Sequence, residues 1–196
     1  MGRHGTRFLI GGGIGSGKSA AAACFAALGA VILSSDAIGH AVLEPGTPQA
    51  DEVAVRWPEV VVAGRIDRRL LGRLVFADPS QLAELEALTH PEITRRLITL
   101  ADAVPDNLVM VELPVLRDLP GRGWPWIVVD APDDLRIART VARGAMSAAE
   151  VRRVMDRQAG RGEWLAAASW VVDNSGDPGL LLGQCRRVWE ALSLES

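Results

Sequence analysis

The chain reads as an α/β domain built on a parallel sheet, and three observations predict it. Short apolar runs recur between longer stretches whose apolar residues stand three and four apart. The first run, Phe8-Leu9-Ile10, leads into Gly12-Gly13-Ile14-Gly15-Ser16-Gly17-Lys18-Ser19, which fills every position of the pattern G-x-x-x-x-G-K-[ST]. A helix-forming stretch and a second apolar run follow at once, which gives strand, loop, helix, strand. With 196 residues and 48% hydrophobic content, one domain spanning residues 1–196 can bury a full core.

Met1-Gly2-Arg3-His4-Gly5 leads into the first strand without the apolar core of a signal peptide. The glycine-rich segment has the chemistry of a phosphate-binding loop. Its amides from Gly13, Ile14, Gly15, Ser16 and Gly17 to Ala20 turn toward a di- or triphosphate, Lys18 reaches the outer oxygens, and the Ser19 hydroxyl can ligate Mg²⁺. A glycine-rich turn that matches by coincidence is the alternative, and the strand before and helix after argue against it. That helix starts at Lys18 and ends at Gly29, with its N-terminus toward the phosphates. Of 21 basic residues 20 are Arg, and the single Lys is Lys18. A GC-rich genome would produce such a bias without selection on side chains, yet the exception falls where a compact ammonium fits between two phosphates. A guanine-reading N-K-x-D motif would need a second Lys, so the pattern of an ordinary small GTPase is absent.

Ala30-Val31-Ile32-Leu33 is the second strand, closed by Ser34-Ser35-Asp36. Ligands of parallel sheets gather at the carboxyl ends of strands, which gives Asp36 a functional reading; an N-cap for a helix over Ala37–Leu43 accounts for it equally well. From Gln49 to Ala103 the pattern predicts a helical lobe without strands: Ala50–Arg56, Arg68–Phe76, Ser80–Thr89, and a further helix opened by His90-Pro91 with proline in its first turn. His90 either caps that helix or contacts a ligand.

Leu108–Val111 and Trp126–Val129 are the next strands, each ending in an acid, Glu112 and Asp130. Such acids suit Mg²⁺-phosphate chemistry, and they also suit turns. A helix over Asp133–Arg143 precedes a capping box of Ser147 and Glu150, which starts a helix reaching about Arg161. Arg136, Arg139, Arg143, Arg152, Arg153, Arg157 and Arg161 crowd this region. They form either a solvated helical face or a mobile lid that closes over a transferring phosphoryl group. Trp170–Asn174 is the last strand and Gly179–Leu192 the closing helix.

A net charge of −3 and a pI near 5.6 give no electrostatic footprint for nucleic acid. Cys24 and Cys185 fit reduced thiols of a cytosolic protein better than a disulfide framework. No apolar run is long enough to cross a membrane. A cytoplasmic protein acting on small molecules is expected, and nothing in the residues assigns its oligomeric state.

Taken in order, these residues resemble the dephospho-coenzyme A kinase family over almost the whole chain, from Phe8 to about Ser193. The series comprises Gly12–Ser19, Leu28-Gly29, Asp36, Leu43-Glu44-Pro45-Gly46, Gly64-Arg65-Ile66-Asp67-Arg68, Val75-Phe76, Leu85-Glu86 and His90-Pro91-Glu92-Ile93. It continues through Pro114-Val115-Leu116, Arg143, Gln158 and Val172-Asp173-Asn174-Ser175-Gly176. The resemblance implies a P-loop kinase with a five-stranded parallel sheet, helices on both faces, a helical acceptor lobe near 49–103 and a lid near 143–161. It implies ATP and Mg²⁺, with transfer to the ribose 3′-hydroxyl of dephospho-coenzyme A. Asp36 would accept the hydroxyl proton, Arg139 and Arg143 would clamp phosphates, Asn174 would lie near adenine, and His40, His90, Leu113 and Pro114 would face the acceptor. The chain departs from the family pattern at Ser34, His40, Asp118, Trp164 and Ser169. A paralogue using another hydroxyl, or a nucleotide-binding regulatory module without turnover, is the alternative.

Overall fold

In a computed structural model of the chain, residues 6–144 and 146–194 are described; the lead-in Met1–Gly5 lies outside them. The elements run β1 (Arg7–Gly11), α1 (Lys18–Leu28), β2 (Val31–Ser34), α2 (Ser35–Val42), α3 (Pro48–Arg56), β3 (Val61–Val62), β4 (Arg65–Ile66), α4 (Arg68–Ala77) and α5 (Pro79–Asp102). They continue with β5 (Val109–Glu112), β6 (Trp126–Asp130), α6 (Asp133–Ala142), α7 (Ala148–Met155), α8 (Arg161–Ala167), β7 (Ala168–Asp173) and α9 (Leu181–Leu194). Among the described residues the main sheet has five strands in the order β2-β5-β1-β6-β7. Every pairing in it is parallel.

Strand alternation assigns the two faces. Phe8, Ile10, Met110, Ile127, Val129 and Val172 form one buried cluster with Ala21, Ala22 and Phe25 of α1 and Leu181, Cys185, Val188 and Leu192 of α9. Each fully buried Leu, Ile or Phe here contributes roughly 1.5–3 kcal/mol relative to exposure. Cys185 is part of this packing, and its burial beside Cys24 pushes the thiol up to about 12. Gly11 faces the other way, where an added Cβ would meet Trp164 of α8 at 2.5 Å and Trp126 at 2.6 Å. Helices therefore cover both faces. The first crossover closes with Gly29 at φ 111°, its N–H bonded to the Ala26 carbonyl at 3.0 Å, so α1 ends where expected.

By their contacts the described residues form two compact units, one up to Ser34 together with Ala101 onward, the other Ser35–Leu100. The second unit has its own core, in which Val53, Trp57, Val60, Leu71 and Val75 pack with Leu43, Ile66, Leu70 and Leu74. Thr47 caps α3, accepting from the Ala50 N–H, and Asp67 caps α4, accepting from Arg69 and Leu70 at 2.9 and 3.1 Å.

Several elements correct the expectation. The region read as free of strands holds the hairpin of β3 and β4, antiparallel with Val61 opposite Ile66. Its turn is Ala63-Gly64, both at positive φ, 49° and 75°, a conformation usually written Asn-Gly, so the hairpin signature is missing. His90-Pro91 starts no helix and His90 is no cap, because α5 runs through both. Pro91 removes the donor for the Ala87 carbonyl, and both residues lie on the exposed side, where water can take that place. Asp36 is not an N-cap, since α2 already begins at Ser35 and places Asp36 within the first turn. The helix expected to reach Arg161 stops at Met155, and a second one starts after Gly160, whose N–H donates to the Glu163 carboxylate at 2.7 Å.

Candidate phosphate-binding site

β1 is the central strand, and the chain leaves its carboxyl end between β5 and β6. Parallel sheets hold their ligands at such a point. Ile10 and Ser34 both stand in register with Glu112, so the ends of β1, β2 and β5 lie level. Gly12 to Gly17 form the turn from β1 into α1, which opens with Lys18 and Ser19, and the turn is closed by the Ser16 N–H on the Gly13 carbonyl at 3.1 Å. The backbone N–H groups at the start of α1 and the positive end of its dipole make this turn an anion site.

Two glycines are needed for different reasons. Gly17 has φ 94°, and a Cβ there would also run into the Asn174 side-chain amide. Gly13 has no unusual φ, but its missing Cβ leaves the room taken by the Arg136 guanidinium.

The loop is held from three sides. Asn174, buried just past β7, donates its Nδ2 to the Ser16 carbonyl at 2.8 Å, and its own N–H goes to the Asp130 carbonyl at 2.8 Å. Arg139 donates to the Asn174 carbonyl at 2.8 Å. Two residues on from β7's end, the Ser175 N–H and hydroxyl hold the Asp173 carboxyl below its usual range. On the other side Arg136, 4% exposed, donates Nε to the Ile14 carbonyl at 2.9 Å and Nη1 to Asp133 Oδ1 at 2.8 Å. Gln158 accepts the Ile14 N–H on Oε1 at 2.9 Å.

Around this frame the expected site residues divide. Lys18 is half-buried and makes no hydrogen bond or ion pair among the described residues, while Ala20 is exposed on α1. The Ser19 hydroxyl, at the start of α1, donates to Glu112 Oε1 at the end of β5 at 3.0 Å, pairing two hard oxygen ligands. Asp130, the other strand-end acid, is engaged by Arg161 through two bonds of 2.8 and 2.7 Å. Arg143 stands exposed at the end of α6, and the structure draws it into no bond with the loop. Leu113 is fully buried with its N–H on the Ile10 carbonyl at 3.0 Å, and Pro114 beside it is half-buried. Asp36 and His40, both exposed on α2, and His90, half-buried in α5, belong to the Ser35–Leu100 unit.

Two of the departures from the family pattern meet at one tryptophan. Trp126 donates Nε1 to Asp118 at 3.3 Å, and its ring meets Trp164 edge-on with centroids 5.5 Å apart. They are joined by packing on the Gly11 face of the sheet.

The sequence reading missed Arg136 as a loop residue, grouping it with arginines that form either a solvated helical face or a lid. One signal was available: Thr140 follows it by four residues and Asp133 precedes it by three, so a polar stripe with its own partners runs along α6, and Thr140 bonds back to the Arg136 carbonyl at 2.8 Å.

Comparison with known proteins agrees with this geometry. The family model described as "Dephospho-CoA kinase" matches residues 8–178. A dephospho-CoA kinase of Thermobifida fusca is 39% identical over 186 residues, covering 92% of this chain and 93% of that protein. The crystal structure of TT1252 from Thermus thermophilus superposes with a TM-score of 0.84 at 36% identity, covering 98% of each chain. Shikimate kinase from Bacteroides thetaiotaomicron, 12% identical with a TM-score of 0.55 over 96% of this chain and 98% of its own, shares the fold alone. Loop, sheet order and sequence thus converge, and the chain belongs to the dephospho-CoA kinase family.

Proposed function

We propose that the chain transfers the γ-phosphoryl group of ATP to the ribose 3′-hydroxyl of dephospho-coenzyme A, acting on small molecules in the cytoplasm as one kinase domain with a helical acceptor lobe and an arginine-bearing lid. The family match across residues 8–178 carries the reading. Among the described residues no helix is long and apolar enough to cross a membrane, and Cys24 and Cys185 are free thiols, which supports the compartment.

Phosphoryl transfer asks mainly for positioning and for donors aimed at negative charge. Lys18, without another partner, supplies an ammonium to the outer phosphate oxygens, and amides of the Gly13–Ala20 segment supply fixed dipoles. The Ser19–Glu112 pair fits a hard divalent cation, Ser19 as direct ligand and Glu112 through water. When bound, Mg²⁺ would neutralise phosphate charge there. Asp36 takes the hydroxyl proton; its support is an exposed carboxylate two residues past the end of β2. Arg139 and Arg143 bind phosphates from the lid side, Asn174 borders the nucleotide, and His40, His90, Leu113 and Pro114 orient the acceptor.

Purified protein with ATP and Mg²⁺ is offered dephospho-coenzyme A, adenosine, other nucleosides and small alcohols, with phosphorylated product read by mass. Coenzyme A as the main product is the expected outcome. Product on another acceptor alone would favour a paralogue, and nucleotide binding without turnover a regulatory module.

A further inference from the structure

The backbone on both sides of Ile14 is gripped by two side chains from distant segments. Arg136, from α6, binds the Ile14 carbonyl, and Gln158, from the connection between α7 and α8, binds the Ile14 N–H, both at 2.9 Å. These groups belong to successive peptide planes, so the pair fixes the orientation of each. Arg136 is itself held: it is 4% exposed, tied to Asp133, and seated where Gly13 lacks a Cβ. Both side chains line one cavity of about 570 Å³ between α6, α7 and the start of α8, with Asp133, Asp156 and Arg161 on its wall. The lid expected at 143–161 is bracketed by these contacts, one before it in sequence and one near its end.

We infer that Arg136 and Gln158 are positioning residues that clamp Ile14, make it an anchor of the loop instead of a phosphate donor, and mechanically couple the lid segment to the phosphate-binding turn. The inference rests on the proposed phosphoryl transfer for its catalytic consequence, while the clamp itself has a structural readout. With the Ile14 N–H engaged by Gln158, phosphate binding falls to the later amides and Lys18. When the lid moves, the loop must move with it or lose the Gln158 hydrogen bond, while Arg136 holds the other side of Ile14 from α6. Catalysis by positioning is sensitive to such slack, since a misplacement of about 1 Å can cost ~100-fold in rate.

The test is Gln158→Leu, which keeps the side chain's bulk and removes its acceptor, with Gln158→Glu as the variant that retains one. Amide hydrogen exchange of the peptide containing Ile14, thermal stability, and kcat and KM for ATP are measured on the full chain. Gln158→Leu is expected to raise exchange at the loop and lower kcat about 10-fold with a smaller change in KM, at nearly unchanged Tm. Gln158→Glu is expected to restore protection of the Ile14 peptide. Unchanged exchange in Gln158→Leu would overturn the clamp, as would a kcat loss that follows only a fall in Tm. If the parent protein itself makes no coenzyme A, the functional reading fails and the exchange result alone decides the clamp.

Discussion

The Asn174 side-chain amide donates to the Ser16 carbonyl at 2.8 Å, joining residues 158 apart in sequence inside a buried contact. It is a strut between the segment after β7 and the top of the phosphate-binding turn. Asn174→Ala would leave the Ser16 carbonyl without its donor, which costs about 1–3 kcal/mol. For a chain of this size each kcal/mol lowers Tm by roughly 2–4 °C. Nucleotide affinity should fall as well, because the loop loses one of its three supports; calorimetry and a fluorescent ATP analogue check both effects.

Gly13→Ala tests space and not backbone freedom, since the Cβ would land on the Arg136 guanidinium. A buried arginine held by Asp133 and Ile14 has little room to yield. Destabilisation of about 1–3 kcal/mol is expected from overpacking. Gly162→Ala in α8 is the control, as nothing lies within 4 Å of its added Cβ, and it should be neutral or mildly stabilising in urea unfolding.

How much of this could be read from residues alone differs by element. The turn from β1 into α1 was legible because its chemistry is local: glycines, one lysine and a serine at fixed spacing, followed by an alanine-rich helix. The strut from Asn174 and the clamp from Arg136 and Gln158 were not, because they join segments far apart in sequence and use polar residues whose partners are backbone groups, which no local pattern marks. Pro91 misled for another reason. Proline is a strong boundary signal only where the freed carbonyl would be buried, and here Ala87 faces solvent. The hairpin was hidden by Ala63, which adopts φ 49° where Asn or Gly is usual.

Glu92 sits between Arg95 and Arg96 on α5, bonded to them at 2.7 and 2.6 Å, and these hydrogen bonds hold its carboxyl down from 4.5 to about 2. A carboxylate whose pKa is depressed on folding adds stability that is present above its unfolded value and disappears as pH falls through the folded one. The contribution should therefore be full above pH 4.5 and lost between 4.5 and about 2. Urea midpoints of the parent and Glu92→Gln, taken at pH 6, pH 3 and pH 2, should differ most at pH 6, less at pH 3 and least at pH 2. A constant difference would assign the effect to something other than ionisation.

Ser19 and Glu112 are proposed to share a divalent cation, and substitution at each should show as a changed requirement for Mg²⁺. Ser19→Ala removes the proposed direct ligand and Glu112→Gln removes the carboxylate charge facing bound water. Both should raise the Mg²⁺ concentration for half-maximal rate, Ser19→Ala more than Glu112→Gln. Equal Mg²⁺ titrations in parent and variants would remove the cation from this pair.

Asp36 separates a catalyst from a nucleotide-binding module. It is exposed in the first turn of α2 and makes no ion pair among the described residues, so its side chain carries little of the fold. Asp36→Asn keeps the shape and removes the proton acceptor. General-base catalysis typically contributes 10²–10⁴-fold, and kcat should drop by about that factor while ATP affinity and Tm stay near the parent values. Lys18→Ala gives the complementary pattern: it withdraws charge from the phosphates themselves, so both turnover and ATP affinity should fall. A full rate in Asp36→Asn alongside a dead Lys18→Ala would keep the phosphate site and remove Asp36 as the base, leaving the proton to be taken elsewhere.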